Sequence, residues 1–331
     1  MRRLFGVSTL GIMLYPIALF VGDSADFAVG FIDAIGNVRI PPRFSAAGHF
    51  SEGKASVVDL GGHSGFLDMR GELAIPMLFR GVGEFHNSVC SIGAESTVGY
   101  IDHAGKWLIE PRFLIAMAFA GGRAFVSDDG ETFRMIDLKG KAVGKDRFEL
   151  AHGFRAGLAP VMKNGRWGFI DENGTVAIPF EFEDAQAQHF KSGCAAVKIG
   201  GRWGFIDRLG SFSIKPLFEA VRPFTEGLAS VKIGGRWGMV DVGGAVRLAP
   251  KWDELGQFVN GLATARLDGK CGYIDATGVW AIEPAYDKVK PFFGELALVY
   301  VGDTPAYIRA DGRLVWQFEP CAIVPRPPMP L

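Results

Sequence analysis

Apolar and polar positions alternate along this chain in short runs, and the breaks between runs recur. In Leu228-Ala-Ser-Val-Lys-Ile233 a period of two sets Leu228, Ser230 and Lys232 on one side and Ala229, Val231 and Ile233 on the other, which predicts a strand. Gly234-Gly235-Arg236 follows, a hairpin signal because glycine takes positive φ without steric cost. A second strand, Trp237-Gly-Met-Val-Asp241, comes next. A D-x-x-G turn, as at Asp207 to Gly210, then opens a third strand ending in Ile-x-Pro-x-aromatic, as in Ile214-Lys-Pro-Leu-Phe218. Proline offers no ladder donor, so this strand should end there or lie at an edge. A Phe-x-x-Gly element, Phe224 to Gly227, leads into the next unit.

The same grammar repeats. Asp33, Asp68, Asp102, Asp137, Asp171, Asp207, Asp241 and Asp275 close the second strands, and Arg309 takes that place in a ninth unit. Successive intervals are 35, 34, 35, 34, 36, 34, 34 and 34 residues, the signature of one array of stacked units. The expected fold is all-β, about nine three-stranded units of roughly 34 residues, with no room for a substantial helix. Two closures fit: an open β-solenoid-like array and a closed β-propeller-like ring. Nine units exceed the usual four to eight blades, which favours the open form.

Trp167-Gly168, Trp203-Gly204 and Trp237-Gly238, each followed by two hydrophobic residues, Asp-x-x-Gly and the Ile-Pro element, resemble the bacterial WG-repeat family. The resemblance runs from Ile17 to Trp316; Cys271 and Val98 stand where Trp would, and the unit around Arg134 lacks both Trp and Gly. It implies an all-β repeat with a binding or scaffolding use, and no chemistry transfers with it.

At the ends, Arg2-Arg3 and the apolar run Leu4 to Val21 resemble a secretory signal. However, Ile17-Ala-Leu-Phe-Val-Gly-Asp-Ser24 parallels Leu296 to Thr304, the first strand of the last unit, and the folded reading is preferred. The run is short for a membrane span. Residues 1–16 are read as an N-terminal apolar segment, 17–319 as the array and 320–331 as a proline-rich tail. The cytoplasm is the favoured location, with the envelope or secretion as the alternative if the first segment is a signal.

Composition sharpens this picture in two places. The 45 glycines, with 27 Phe, 7 Trp and 6 Tyr, suit many short strands and tight turns. A hydrophobic fraction of 48% excludes wholesale disorder, and a net charge of −1 gives no general reason to expect nucleic acid.

Candidate chemistry falls into columns. Each Asp in a D-x-x-G turn is expected to accept local backbone N–H bonds, and each turn brings too few oxygens for calcium. The Trp column is read as packing, with the neighbouring glycine leaving space for the ring; sugar or base stacking is the alternative. Lys163, Lys198, Lys232 and Arg266 are assigned to one strand slot, and Arg166, Arg202, Arg236 and Lys270 to the hairpin turn. These are the candidate binding residues for an anionic polymer or an acidic protein face. The competing reading pairs them with Glu183-Asp184, Glu219, Asp253-Glu254 and Asp287. Cys90, Cys194 and Cys271 fill core slots. The six histidines, His49, His63, His86, His103, His152 and His189, share no slot. There is no H-E-x-x-H, Walker-type loop, G-x-S-x-G or dinucleotide fingerprint. The expected function is a non-enzymatic scaffold, without metal or cofactor, binding a protein or polymer most strongly over residues 160–270. The alternative is an exported envelope or carbohydrate-binding module.

Overall fold

The computed structural model describes residues 13–20, 27–186, 190 and 192–318. Sequence readings on residues 1–12, on His189 and on the tail 320–331 lie outside the described residues. Within them the chain folds as nine small antiparallel sheets, seven of four strands and two of three. We call these blades 1 to 9, covering residues 15–44, 46–79, 81–113, 115–137, 150–182, 184–218, 220–252, 254–286 and 288–317. The chain divides into two compact units, the first built around blades 1–4 and the second around blades 5–9.

Blade 7 shows the common plan: Ala220–Val221, Leu228–Ile233, Arg236–Asp241 and Val246–Trp252, paired in chain order. Two expectations change here. The unit has four strands in most blades because the second and third residues after the aromatic of the Pro element pair with the next strand, Ala220 with Lys232 and Val221 with Val231. The open solenoid also gives way to the propeller-like alternative. In a solenoid, strands of neighbouring coils hydrogen-bond to one another, whereas here the ladders are completed inside each blade by strands consecutive in sequence. Tyr15–Phe20 pairs with Phe27–Ile32, so the first blade's strand begins two residues before the boundary placed at 17.

The turns follow from the sequence. Gly234 and Gly235 sit at φ 57° and 76°, the two positive values a type I′ hairpin demands. Pro216 and Pro250 lie in edge strands, at a bulge where pairing jumps from Trp203–Phe218 to Phe205–Ile214 and from Trp237–Trp252 to Met239–Leu248. Each strand continues two residues beyond its proline.

The core lies between successive blades of a unit. In the second, Ile178 and Phe182 of blade 5 pack with Val197 and Ile206 of blade 6, and Phe205 and Ile214 of blade 6 with Val231 and Val240 of blade 7. The aromatic of these Gly-aromatic-hydrophobic-Asp strands meets the Phe just before the second strand of the next blade, set in Phe-x-x-Gly at Phe119 and Phe224 but in Phe-His-Asn-Ser at Phe85 and Phe-Phe-Gly-Glu at Phe292. Phe66–Phe85 and Tyr100–Phe119 in the first unit lie at 4.8 and 4.7 Å, and Phe205–Phe224 and Tyr273–Phe292 in the second at 4.7 and 4.9 Å.

Candidate functional site

Every Asp of the turn column holds its own turn. Oδ1 of Asp68 accepts the N–H groups of Arg70 and Glu72 at 2.8 and 3.0 Å, and that of Asp207 those of Leu209 and Ser211 at 2.8 and 2.9 Å. Asp33, Asp102, Asp171, Asp241 and Asp275 do the same two and four residues on. The backbone N–H of Ala245 and the Arg247 guanidinium hold the Asp241 carboxyl below the usual range; at Asp275 the Thr277 hydroxyl and the Val279 N–H do so.

The glycine of the Trp-Gly pair has a role other than leaving room for the ring. A Cβ on Gly204 would lie 2.7 Å from the Ile214 carbonyl oxygen and 2.8 Å from the Pro216 nitrogen, and one on Gly238 would lie 2.6 Å from the Leu248 oxygen. The bulged Pro strand presses its backbone onto this position, so only glycine fits. The indoles point elsewhere. Trp167 is 5% exposed, with His152 stacked parallel on it at 5.1 Å; Trp203 and Trp237 are half-buried. The Arg222 guanidinium lies over the Trp237 ring at 5.1 Å. A sugar-stacking platform needs a free ring face, and in blades 5 and 7 one face is taken. His152 and Arg222 thus share a slot, immediately after the short first strand. The sequence reading missed it, although counting from Ala151 and Val221 would have found it. Burial lowers the His152 pKa, opposed by the charge of Asp184.

The basic residues divide. Strand pairing sets Lys198 opposite Trp203, Lys232 opposite Trp237 and Arg266 opposite Cys271. Lys163 instead pairs with Arg166, and Met162 faces Trp167. Lys163 is therefore one residue out of the slot assigned to it, and its ammonium meets Asp146 at 2.8 Å. Arg166, Arg202, Arg236 and Lys270 do share one register position.

Carboxylates at the blade starts engage this turn row. Glu219 accepts the N–H groups of Gly234 and Gly235 in blade 7 and lies 3.9 Å from Arg202 of blade 6. Arg236 pairs with Asp253 and Lys270 with Asp287, which also accepts the Gly302 N–H. Arg266 pairs with Glu254 at 3.3 Å. Lys198, Lys232 and Arg166 make no ion pair among the described residues.

Of the cysteines, Cys90, Cys194 and Cys271 are free. Burial pushes the Cys90 thiol up to about 12 and raises that of Cys271, so neither is an activated thiolate at neutral pH. Among the described residues no cluster of His, Cys, Asp or Glu is grouped to hold a metal ion, and no helix is long and apolar enough to cross a membrane.

Short four-stranded meanders repeated with a Trp-Gly pair and an Asp-capped turn define an all-β, propeller-like repeat protein. The family model for the WG-containing repeat matches residues 30–61, 99–131, 134–167, 167–203, 203–237, 237–271 and 272–304, and the chain belongs to that family. Among solved structures, a eukaryotic initiation factor is similar at a TM-score of 0.63 and 10% identity, covering 92% of this chain and 96% of that one. The computationally designed Ika8 protein gives 0.48 at 14% identity over 82% and 95% of the two chains. BamB from Moraxella catarrhalis gives 0.45 at 14% over 91% and 95%. The first likeness speaks to fold alone. No curated protein matches the sequence.

Proposed function

We propose that the chain is a non-enzymatic binding protein whose blades offer an extended surface to a protein partner, with blades 6–8 as the region of recognition. The observation that supports this most is the tied hairpin edge. Glu219 and Asp287 each clasp the turn of their own blade and pair with a basic residue of the blade before. A surface already ordered spends little entropy on association. Beside that edge the half-buried Lys198 and Lys232 are without ion-pair partners among the described residues, which suits an acidic partner face. Action in the cytoplasm is part of the same proposal.

The test is capture from the native cell by a C-terminally tagged chain, with mass spectrometry of its N-terminus and companions. Lys198→Ser/Lys232→Ser should weaken capture of a dominant protein partner without moving Tm. Undiminished capture would count against this edge as the recognition surface, and an N-terminus processed near residue 26 in the envelope fraction would overturn the cytoplasmic reading.

A further inference from the structure

The ring slot of the repeat is full in some blades and empty in others. In blade 7 Trp237 fills it and Arg222 covers the ring. In blade 8 Cys271, opposite Tyr286, takes the Trp position, and Gly256 takes that of Arg222. Both large groups are missing together, and a cavity of about 470 Å³ opens at that place. This lies within the size range of ligand pockets. Its buried wall is apolar and small, from Leu255, Ala265 and Cys271.

Three hydrogen bonds fix the walls. Ser230 Oγ donates to the Gly256 carbonyl at 2.7 Å, Gln257 Nε2 to that of Pro223 at 2.8 Å, and Tyr273 Oη to that of Lys290 at 2.7 Å. A side chain at Gly256 would collide with the Thr264 hydroxyl, so the blade itself keeps the space clear.

The rim is cationic. Arg222, Arg266, Lys288 and Lys290 face only Glu254 and Asp287 among the lining residues. Glu254 is engaged by Arg266, and Asp287 by Lys270 and the Gly302 N–H. Arg222, Lys288 and Lys290 make no ion pair among the described residues.

We propose that this cavity is the docking pocket for an acidic segment of a partner protein, which inserts an aromatic side chain where the repeat's own indole is missing and sets its carboxylates against Arg222, Lys288 and Lys290. This rests on the scaffold reading and names its site and partner chemistry. A buried aromatic anchor within a charged rim is the arrangement that concentrates binding energy at protein interfaces.

The test is fluorescence anisotropy of the full chain with a fluorescein-labelled pentapeptide, phenylalanine between two pairs of aspartates. Binding should weaken at least tenfold when alanine replaces the phenylalanine, when Cys271→Trp fills the slot, and when Lys288→Glu/Lys290→Glu reverses the exposed rim. Equal binding of the alanine peptide, or unchanged binding by the rim variant, overturns the pocket. Displacement by benzoate as effective as by unlabelled peptide would assign the cavity to a small aromatic anion and overturn the peptide reading. No peptide binding, with a protein partner still captured by both the parent and Cys271→Trp chains, removes the pocket and leaves the scaffold. Failure of the parent chain to capture any protein removes the scaffold reading itself.

Discussion

Blades 7 and 8 are built on one plan and filled in two ways. Both carry a two-residue hairpin with positive φ, an Asp-capped turn and a bulged Pro strand pressing on a glycine, Gly238 or Gly272. Both tie a basic turn residue, Arg236 or Lys270, to the acid opening the next blade. They differ between the ring slot and its cover: Trp237 with Arg222 in one, Cys271 with Gly256 in the other. Backbone geometry therefore depends on the turns and the glycine, while the ring slot is free to vary. The first unit has the same pattern, for blade 2 carries Ser64 opposite Phe79 and Gly48 in the cover position. A smaller cavity lies there too, about 320 Å³.

The largest expected effect separates core from slot. Trp252, 1% exposed in the cluster between blades 7 and 8, should cost about 3–5 kcal/mol when replaced by alanine. Trp237→Ala should cost less, since the ring is half-buried. Urea unfolding of the two variants orders them, and equal losses would erase the distinction.

Next comes the shared glycine. Gly238→Ala and Gly272→Ala should each lose about 1–3 kcal/mol, because the added Cβ meets a carbonyl that the bulge cannot withdraw. The two blades should respond alike, full slot or empty, and a neutral Gly272→Ala would break that likeness.

Much of this plan was legible in the sequence. The period, the Gly-Gly hairpins, the Asp turns and the edge position of the Pro strand all follow from residues with strong local preferences, Gly234, Gly235, Asp241 and Pro250 among them. What was not legible depends on neighbours. Ala220–Val221 is too short to display a period, so the fourth strand stayed hidden. Trp-Gly reads as large beside small, and only the bulge reveals that Gly204 yields to backbone rather than to the indole. Charge alone groups Lys163 with Lys198 and Lys232, whereas counting back from the Asn164-Gly165 turn puts it opposite Arg166. The cavity needed two absences, Cys271 and Gly256, 15 residues apart in sequence and meeting only in the fold.

A further effect is pH-dependent. The Asp241 and Asp275 carboxyls titrate below their unfolded value of about 4. Their contribution is complete above that value and is lost as pH falls through the folded pKa. Tm should thus decline on acidification below about pH 5, and Asp241→Asn and Asp275→Asn should flatten that decline to a similar degree in both blades. An unchanged acid profile in both variants would detach the turns from the acid response.

The smallest effect belongs to the tied edge. Arg202→Ser should change stability by about 0–1 kcal/mol, as exposed ion pairs do. A loss well above this would make the edge a structural element more than a surface for a partner.

Blade 8 keeps the ring slot of blade 7 and leaves it empty. Urea unfolding of Cys271→Trp tests it most directly. An available slot accepts the indole, so stability should stay within about 1 kcal/mol of the parent or rise. A loss above about 2 kcal/mol, the cost of forcing a ring into a filled core, would contradict the account.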